Sequence, residues 1–144
     1  MKNESPYFVK GRKEKVVIDE AVLKEKLTPL QYNIAREAGT ERPFTGAYDG
    51  IDEKGTYYCL VCGNHLFESN QKFEAGCGWP SFFEEAQKGS MIYRPDNSLG
   101  RQRTEVLCSQ CESHLGHIFD DGPAPTYKRY CINSAVIKLV QDES

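Results

Sequence analysis

The segment Thr56-Tyr-Tyr-Cys-Leu-Val-Cys-Gly-Asn-His-Leu-Phe-Glu68 sets two β-prone runs on either side of a tight, cysteine-bearing turn. Thr56–Val61 and His65–Glu68 read as strands, because aromatic and β-branched residues suit a pleated, half-buried surface. Between them, Gly63 and Asn64 let the backbone turn sharply after Cys62. The same spacing recurs in Cys108-Ser-Gln-Cys111, 46 residues beyond Cys62, so a sizeable piece of β structure lies between two knuckles. Two thiolates two residues apart can grip one metal ion, and two such turns supply the four sulfurs of a tetrahedral zinc site. Cys59, Cys62, Cys108 and Cys111 are therefore expected to hold one structural zinc ion. Two disulfides would need an oxidising compartment. A thioredoxin-type Cys-x-x-Cys would follow a strand in a βαβ pattern, and none is visible.

Outward from that segment the texture differs on the two sides. Residues 1–18 are polar with few turn or periodic signals and read as a flexible leader, leaving 19–144 as a single domain. Asp19–Leu27 fits a short helix with Ala21, Val22 and Leu23 or Leu27 inward. Thr28-Pro-Leu-Gln31 offers a capping hydroxyl, a proline at the first helical position and a glutamine three residues on, which makes a capping box. Leu30, Ile34 and Ala35 follow at helical spacing, and Gly39 stands where a helix stops, so the second helix is expected over Thr28–Ala38. Beyond Gly39, turn residues recur every few positions. Further strands are expected at Arg103–Leu107, Ile118–Phe119 and, as one long element, Arg129–Val140. The pattern is a compact, mostly antiparallel β domain behind a pair of helices.

At 144 residues the chain has the length of one domain. Its formal net charge of -3 argues against a protein held on nucleic acid by bulk electrostatics. No apolar run approaches the roughly 18 residues that cross a bilayer, and no signal peptide is visible, so a cytoplasmic protein without a membrane partner is expected.

Two of the six cysteines stand outside the paired units. In the strand expected from Arg129, alternation puts Arg129, Cys131 and Asn133 on one face, where the arginine would favour a nucleophilic thiolate. From the strand alone, a buried core cysteine is the favoured reading. Cys77 lies in Phe73-Glu-Ala-Gly-Cys-Gly-Trp-Pro-Ser-Phe82, between glycines that allow a thiol to be approached closely and to move, as a transient disulfide requires. Trp79, the single tryptophan, is either packing or the wall of an apolar pocket. His114 and His117 offer zinc ligation, surface polarity or general acid–base work. His65, next to the first knuckle, reads as structural.

These residues together resemble the methionine sulfoxide reductases of the B type. The likeness runs from about Leu27 to Val140 and is carried by several blocks in order. They are Leu27-Thr-Pro-Leu-Gln-Tyr32, Gly39-Thr-Glu-Arg-Pro-Phe-Thr-Gly46, Gly76-Cys-Gly-Trp-Pro-Ser-Phe82, Arg103-Thr-Glu-Val106, Ser113-His-Leu-Gly-His-Ile-Phe119, Asp121-Gly-Pro123 and Arg129-Tyr-Cys-Ile-Asn-Ser-Ala135. Both Cys-x-x-Cys units fall where the zinc-containing branch has them. The resemblance implies a mainly β fold of two small antiparallel sheets with short N-terminal helices packed on them, clamped by one structural zinc. It implies reduction of methionine R-sulfoxide, free or in peptides and proteins. Cys131 would be the nucleophile and Cys77 the resolving thiol, recycled by thioredoxin or a similar dithiol. His117 would handle the proton, with Asn133 and His114 beside it, and Trp79, Phe119 and Arg129 would contact the substrate. A monomer is expected. One departure is Gly100-Arg101, where many members have Gly-Met, at the expected rim of the substrate groove.

Two other classes fit part of the pattern. A zinc-ribbon binding module explains the paired cysteines but not Cys77, Trp79, His117 and Cys131 together. A redox sensor explains a Cys77–Cys131 disulfide without turnover.

Overall fold

The computed structural model describes residues 4–51, 53–97, 100 and 102–141. Arg101, the departure noted above, lies outside the described residues. Helix α1 spans Glu20–Lys26 and helix α2 spans Pro29–Glu37. Among the described residues nine strands follow: β1 Gly55–Cys59, β2 His65–Glu68, β3 Lys72–Phe73, β4 Ser81–Phe82, β5 Met91–Asp96, β6 Arg103–Cys108, β7 His114–Phe119, β8 Arg129–Ile132 and β9 Ile137–Gln141. They form two antiparallel sheets, ordered β2-β1-β9 and β3-β4-β8-β7-β6-β5.

The helices start as their sequences dictate. Asp19 caps α1 by accepting from the Ala21 and Val22 amides. Thr28 and Gln31 form the complete capping box of α2, with Pro29 in its first turn. Leu23, Leu27, Ile34 and Ala35 are buried, whereas Ala21, Val22 and Leu30 are exposed, which corrects their expected inward placement. The stop is Ala38, in the left-handed conformation at φ 57°.

The sheets meet through aromatic rings. Phe67 of β2 stacks on Phe82 of β4 with centroids 4.1 Å apart and planes at 9°. Tyr57 of β1 meets Phe82 edge-on at 5.1 Å, and Tyr130 of β8 meets Phe67 at 5.4 Å. Burying each such ring stabilises the fold by roughly 1.5–3 kcal/mol, so this cluster holds the two layers together.

Three strand expectations need correction. The long Arg129–Val140 strand is two: β8 ends at Ile132, Ser134–Val136 makes a 3-10 turn, and β9 joins the other sheet. The strand expected at Ile118–Phe119 begins at His114, so both histidines lie on β7. β1 ends at Cys59, because Leu60 already belongs to the knuckle turn.

Residues 4–18 cross both knuckles. Ser5 Oγ donates to the Val61 carbonyl at 2.6 Å, and the Val9 and Gly11 amides donate to the Cys62 and Gly63 carbonyls at 3.1 and 2.8 Å. The Val16 amide donates to the Gln110 carbonyl at 3.0 Å, and Gln110 Nε2 returns a bond to the Arg12 carbonyl at 2.7 Å.

Candidate active site and metal centre

The antiparallel ladder between β7 and β8 sets the floor of the site. His117 stands opposite Cys131 and Phe119 opposite Arg129. Side chains two apart on a strand share a face, so these four residues project together. The strands approach closely because position 116 is glycine: a Cβ there would sit 1.9 Å from the Cys131 carbonyl oxygen. On the other side of β8, Ser81 of β4 stands opposite Cys131.

The loop before β4 brings in the second thiol. Gly76 and Gly78 take φ of 68° and 93°, a region that favours glycine. Cys77 Sγ thereby lies 3.4 Å from Cys131 Sγ, although 54 residues separate them in sequence. Cys77 Sγ also meets Ser81 Oγ at 3.3 Å. Arg129 Nη1 donates to Cys131 Sγ at 2.7 Å. Its other nitrogens, Nε and Nη2, are held by both oxygens of Asp121 at 2.8 and 3.2 Å, and its guanidinium lies 4.4 Å over the Phe119 ring.

These contacts decide where charge resides. Burial pushes the Cys131 thiol up to about 12, the neighbouring Cys77 adds to the push, and Arg129 works against it. Burial also acts to raise Cys77, but hydrogen bonding to Ser81 and the positive charge of Arg129 leave it below its ordinary value. Of the two touching sulfurs beside the guanidinium, Cys77 is thus the one that gives up its proton more readily and Cys131 the more reluctant one.

A cavity of about 320 Å³ opens over this floor, lined by Trp79, His117, Phe119, Arg129, Cys131 and Asn133 among others. All six were singled out from sequence. His117 Nε2 is 2.7 Å from Asp96 Oδ2. Trp79 is half-buried, and its Nε1 donates to the Glu41 carbonyl at 3.1 Å. Asn133 is committed elsewhere: Oδ1 accepts from the Glu41 amide at 2.9 Å and Nδ2 donates to the Leu115 carbonyl at 3.0 Å. His114 does not line this cavity. It is buried behind His117, its ring 5.5 Å away, with Nδ1 on Glu105 Oε2 at 2.7 Å. Burial pulls its pKa below the ordinary histidine value. A wider depression of about 810 Å³ beside Arg36 includes His114 but neither Cys77 nor Cys131, whereas Cys131 lines the smaller cavity.

Residues without an individual sequence assignment also build the site. Asp121 clamps Arg129, Asp96 holds His117, and Glu41 ties three parts together through its amide, its carbonyl and its carboxylate, which accepts from the Ala135 amide at 3.0 Å. Acidic residues are common on surfaces, and only the fold reveals what these three face.

At the far knuckles, the sulfurs of Cys59, Cys62, Cys108 and Cys111 all lie within 4.8 Å of one another and are buried. Cys59 and Cys111 are 3.7 Å apart, and Cys62 and Cys108 3.5 Å. A tetrahedral ion with bonds of about 2.3 Å needs sulfur–sulfur edges of about 3.8 Å, so the cluster is arranged to hold a metal ion. Left to themselves the sulfurs divide the protons. Hydrogen bonding to Cys108 holds Cys59 and Cys62 well above the ordinary thiol range, and hydrogen bonds led by that of Cys111 hold Cys108 far below it. A divalent cation is what lets four adjacent thiols ionise together. His65 takes no part in the cluster; its Nε2 is paired with Glu68 at 2.6 Å.

Comparison with known proteins gives the family this chain resembles. The SelR domain family matches residues 27–141. Methionine-R-sulfoxide reductase B1 of Drosophila melanogaster is 48% identical over 142 residues, covering 90% of this chain and 68% of that protein. The peptide methionine sulfoxide reductase MsrB of Cellvibrio japonicus is 54% identical over 125 residues, 87% of this chain and 89% of that protein. The MsrB of Bradyrhizobium diazoefficiens is 52% identical over 126 residues, 88% and 91% of the two chains.

Proposed function

The chain belongs to the methionine sulfoxide reductase B family, and we propose that Cys131 and Cys77 carry the two thiol steps of its reaction. The protein is an oxidoreductase that reduces methionine R-sulfoxide to methionine. One observation carries the assignment: Cys131, gripped by Arg129 at 2.7 Å, touches Cys77 at 3.4 Å in the floor of a cavity walled by Trp79.

The Cys131 thiolate attacks the sulfoxide sulfur, whose oxygen is a poor leaving group until it is protonated. His117 supplies that proton. Asp96 holds Nε2, which leaves Nδ1 as the exchanging atom. Oxygen passes to Cys131 as a sulfenic acid, and the substrate sulfur, reduced by two electrons, leaves as methionine. The Cys77 thiol then attacks the sulfenic sulfur, releasing water and forming the Cys77–Cys131 disulfide. A dithiol such as thioredoxin returns both cysteines to thiols and becomes a disulfide itself. Trp79 and Phe119 give the substrate's S-methyl end an apolar surround, and the charge of Arg129 favours the Cys131 thiolate against the burial and the Cys77 neighbour that hold the thiol protonated. Asn133 braces the segment that supports Trp79, and His114 backs the His117 ring.

Zinc is the ion that suits four thiolates at this spacing. Bound by Cys59, Cys62, Cys108 and Cys111, it would fasten the β1–β2 knuckle to the β6–β7 knuckle and take no part in the redox steps. Every group the reaction uses comes from one chain, so a monomer suffices. Among the described residues no helix is long and apolar enough to cross a membrane. The cytoplasm, where thiols are kept reduced, fits a dithiol-dependent cycle.

The test is substrate-dependent oxidation. One equivalent of methionine R-sulfoxide should convert the reduced protein to the Cys77–Cys131 disulfide, as read by peptide mapping, while the S epimer should not. Disulfide formation with peroxide but not with the sulfoxide would favour a redox sensor instead.

A further inference from the structure

Phe44 is 69% exposed and has φ of 65°. A bulky side chain in the left-handed region is strained, and such strain persists where the surroundings enforce it. Here the enforcement is visible. The Phe44 amide donates to the Gly78 carbonyl at 2.7 Å. The Thr45 amide and hydroxyl both bond to the Arg42 carbonyl, at 3.3 and 2.6 Å, closing a turn around residues 42–45. Gly78 is pressed so near this turn that a Cβ would meet Pro43 at 2.5 Å. At 69% exposure the ring gains little burial in return, so the turn holds an aromatic side chain largely outward at a cost in conformation.

Its place gives that a purpose. Gly78 lies between Cys77 and Trp79, and Trp79 leans on Glu41, three residues before Phe44. The same short segment therefore supports Trp79, which lines the cavity, and holds Phe44 beside Gly78, the residue next to that wall. The cavity, about 320 Å³, accommodates one side chain, so the polypeptide that carries it must lie across the rim. We infer that Phe44 is a docking contact for that polypeptide, receiving an apolar residue that flanks the methionine sulfoxide. This rests on the reading of the Trp79 cavity as the methionine sulfoxide site.

The test compares two R-epimer substrates with a small dithiol as reductant: N-acetyl-methionine sulfoxide amide, and a heptapeptide with the same residue between leucines. In Phe44→Ala the ratio of kcat/KM for peptide over blocked amino acid should fall about fivefold, through KM. Phe44→Tyr should keep the wild-type ratio. Phe44→Gly should lower the ratio as Phe44→Ala does and yet melt at a higher temperature than wild type, because glycine adopts this φ without strain. An unchanged ratio in Phe44→Ala, or an equal fall for both substrates, overturns the inference. So does a defect seen only when a protein dithiol replaces the small one, which would assign the surface to the reductant. Wild-type turnover of the blocked amino acid checks the cavity reading separately, and its absence overturns both.

Discussion

Arg129 Nη1 lies 2.7 Å from Cys131 Sγ, and the same guanidinium is held from behind by both carboxylate oxygens of Asp121. The residues are two apart on β8 and so share a face, and Asp121 closes the arrangement from the loop after β7. Two bonds to Asp121 hold the guanidinium in place against the Cys131 sulfur.

Replacing Arg129 by Met should therefore raise the Cys131 pKa further. Burial and Cys77 already push it up to about 12, and the one opposing positive charge would be gone. The reactive form is the thiolate, present above the pKa, so the first step should speed up with pH and that rise should move to higher pH in the variant. Single-turnover rates between pH 6 and 9 would show it, with a loss of roughly ten- to a hundredfold at pH 7.

Cys77→Ser acts in the opposite direction on the same group. It removes a neighbouring sulfur that raises Cys131 through hydrogen bonding and charge, so the Cys131 thiol should ionise at lower pH than in the parent protein. Ultraviolet thiolate absorbance would report this shift. The variant should also stop after one methionine per chain with a sulfenic acid on Cys131, readable as a mass gain of one oxygen.

The four-cysteine cluster should bind one zinc ion per chain, measurable by elemental analysis. Cys108→Ser, or removal of the metal, should lower the melting temperature by on the order of 10 °C, with activity lost only as the fold loosens. A variant that keeps its melting temperature and loses turnover would count against a structural role.

Gly116→Ala tests the β7–β8 contact. The added methyl would lie 1.9 Å from the Cys131 carbonyl, against backbone rather than a flexible side chain. Strand separation should shift His117 relative to Cys131. The expected result is a loss of at least about 2 kcal/mol in urea unfolding together with reduced turnover.

Much of this arrangement was legible before the coordinates. The capping box at Thr28 and Gln31, the two knuckles and the face shared by Arg129 and Cys131 all depend on neighbours within a few residues. The features that escaped depend on partners distant in sequence. Asn133-Ser-Ala-Val136 lies between two β-prone runs, and the chain turns there to change sheets, because Cys59 of β1 takes Ile137 as its partner. β7 hides behind Gly116, which weakens a strand by itself but admits the Cys131 carbonyl here. β5 carries Pro95, tolerated because that strand is a sheet edge. Leu30 points outward although helical spacing alone would bury it, since only Ile34 and Ala35 reach the core. Glu41, Asp96 and Asp121 became meaningful only once their partners Ala135, His117 and Arg129 were in place.

The central claim is that Cys131 reduces one epimer of methionine sulfoxide through a thiolate. Its most direct test is turnover of resolved R and S epimers of N-blocked methionine sulfoxide with a dithiol, run beside Cys131→Ser. Methionine should form from the R epimer alone and not at all in the variant. Folded, zinc-loaded protein that turns over neither epimer, or a Cys131→Ser variant that retains activity, would contradict the account.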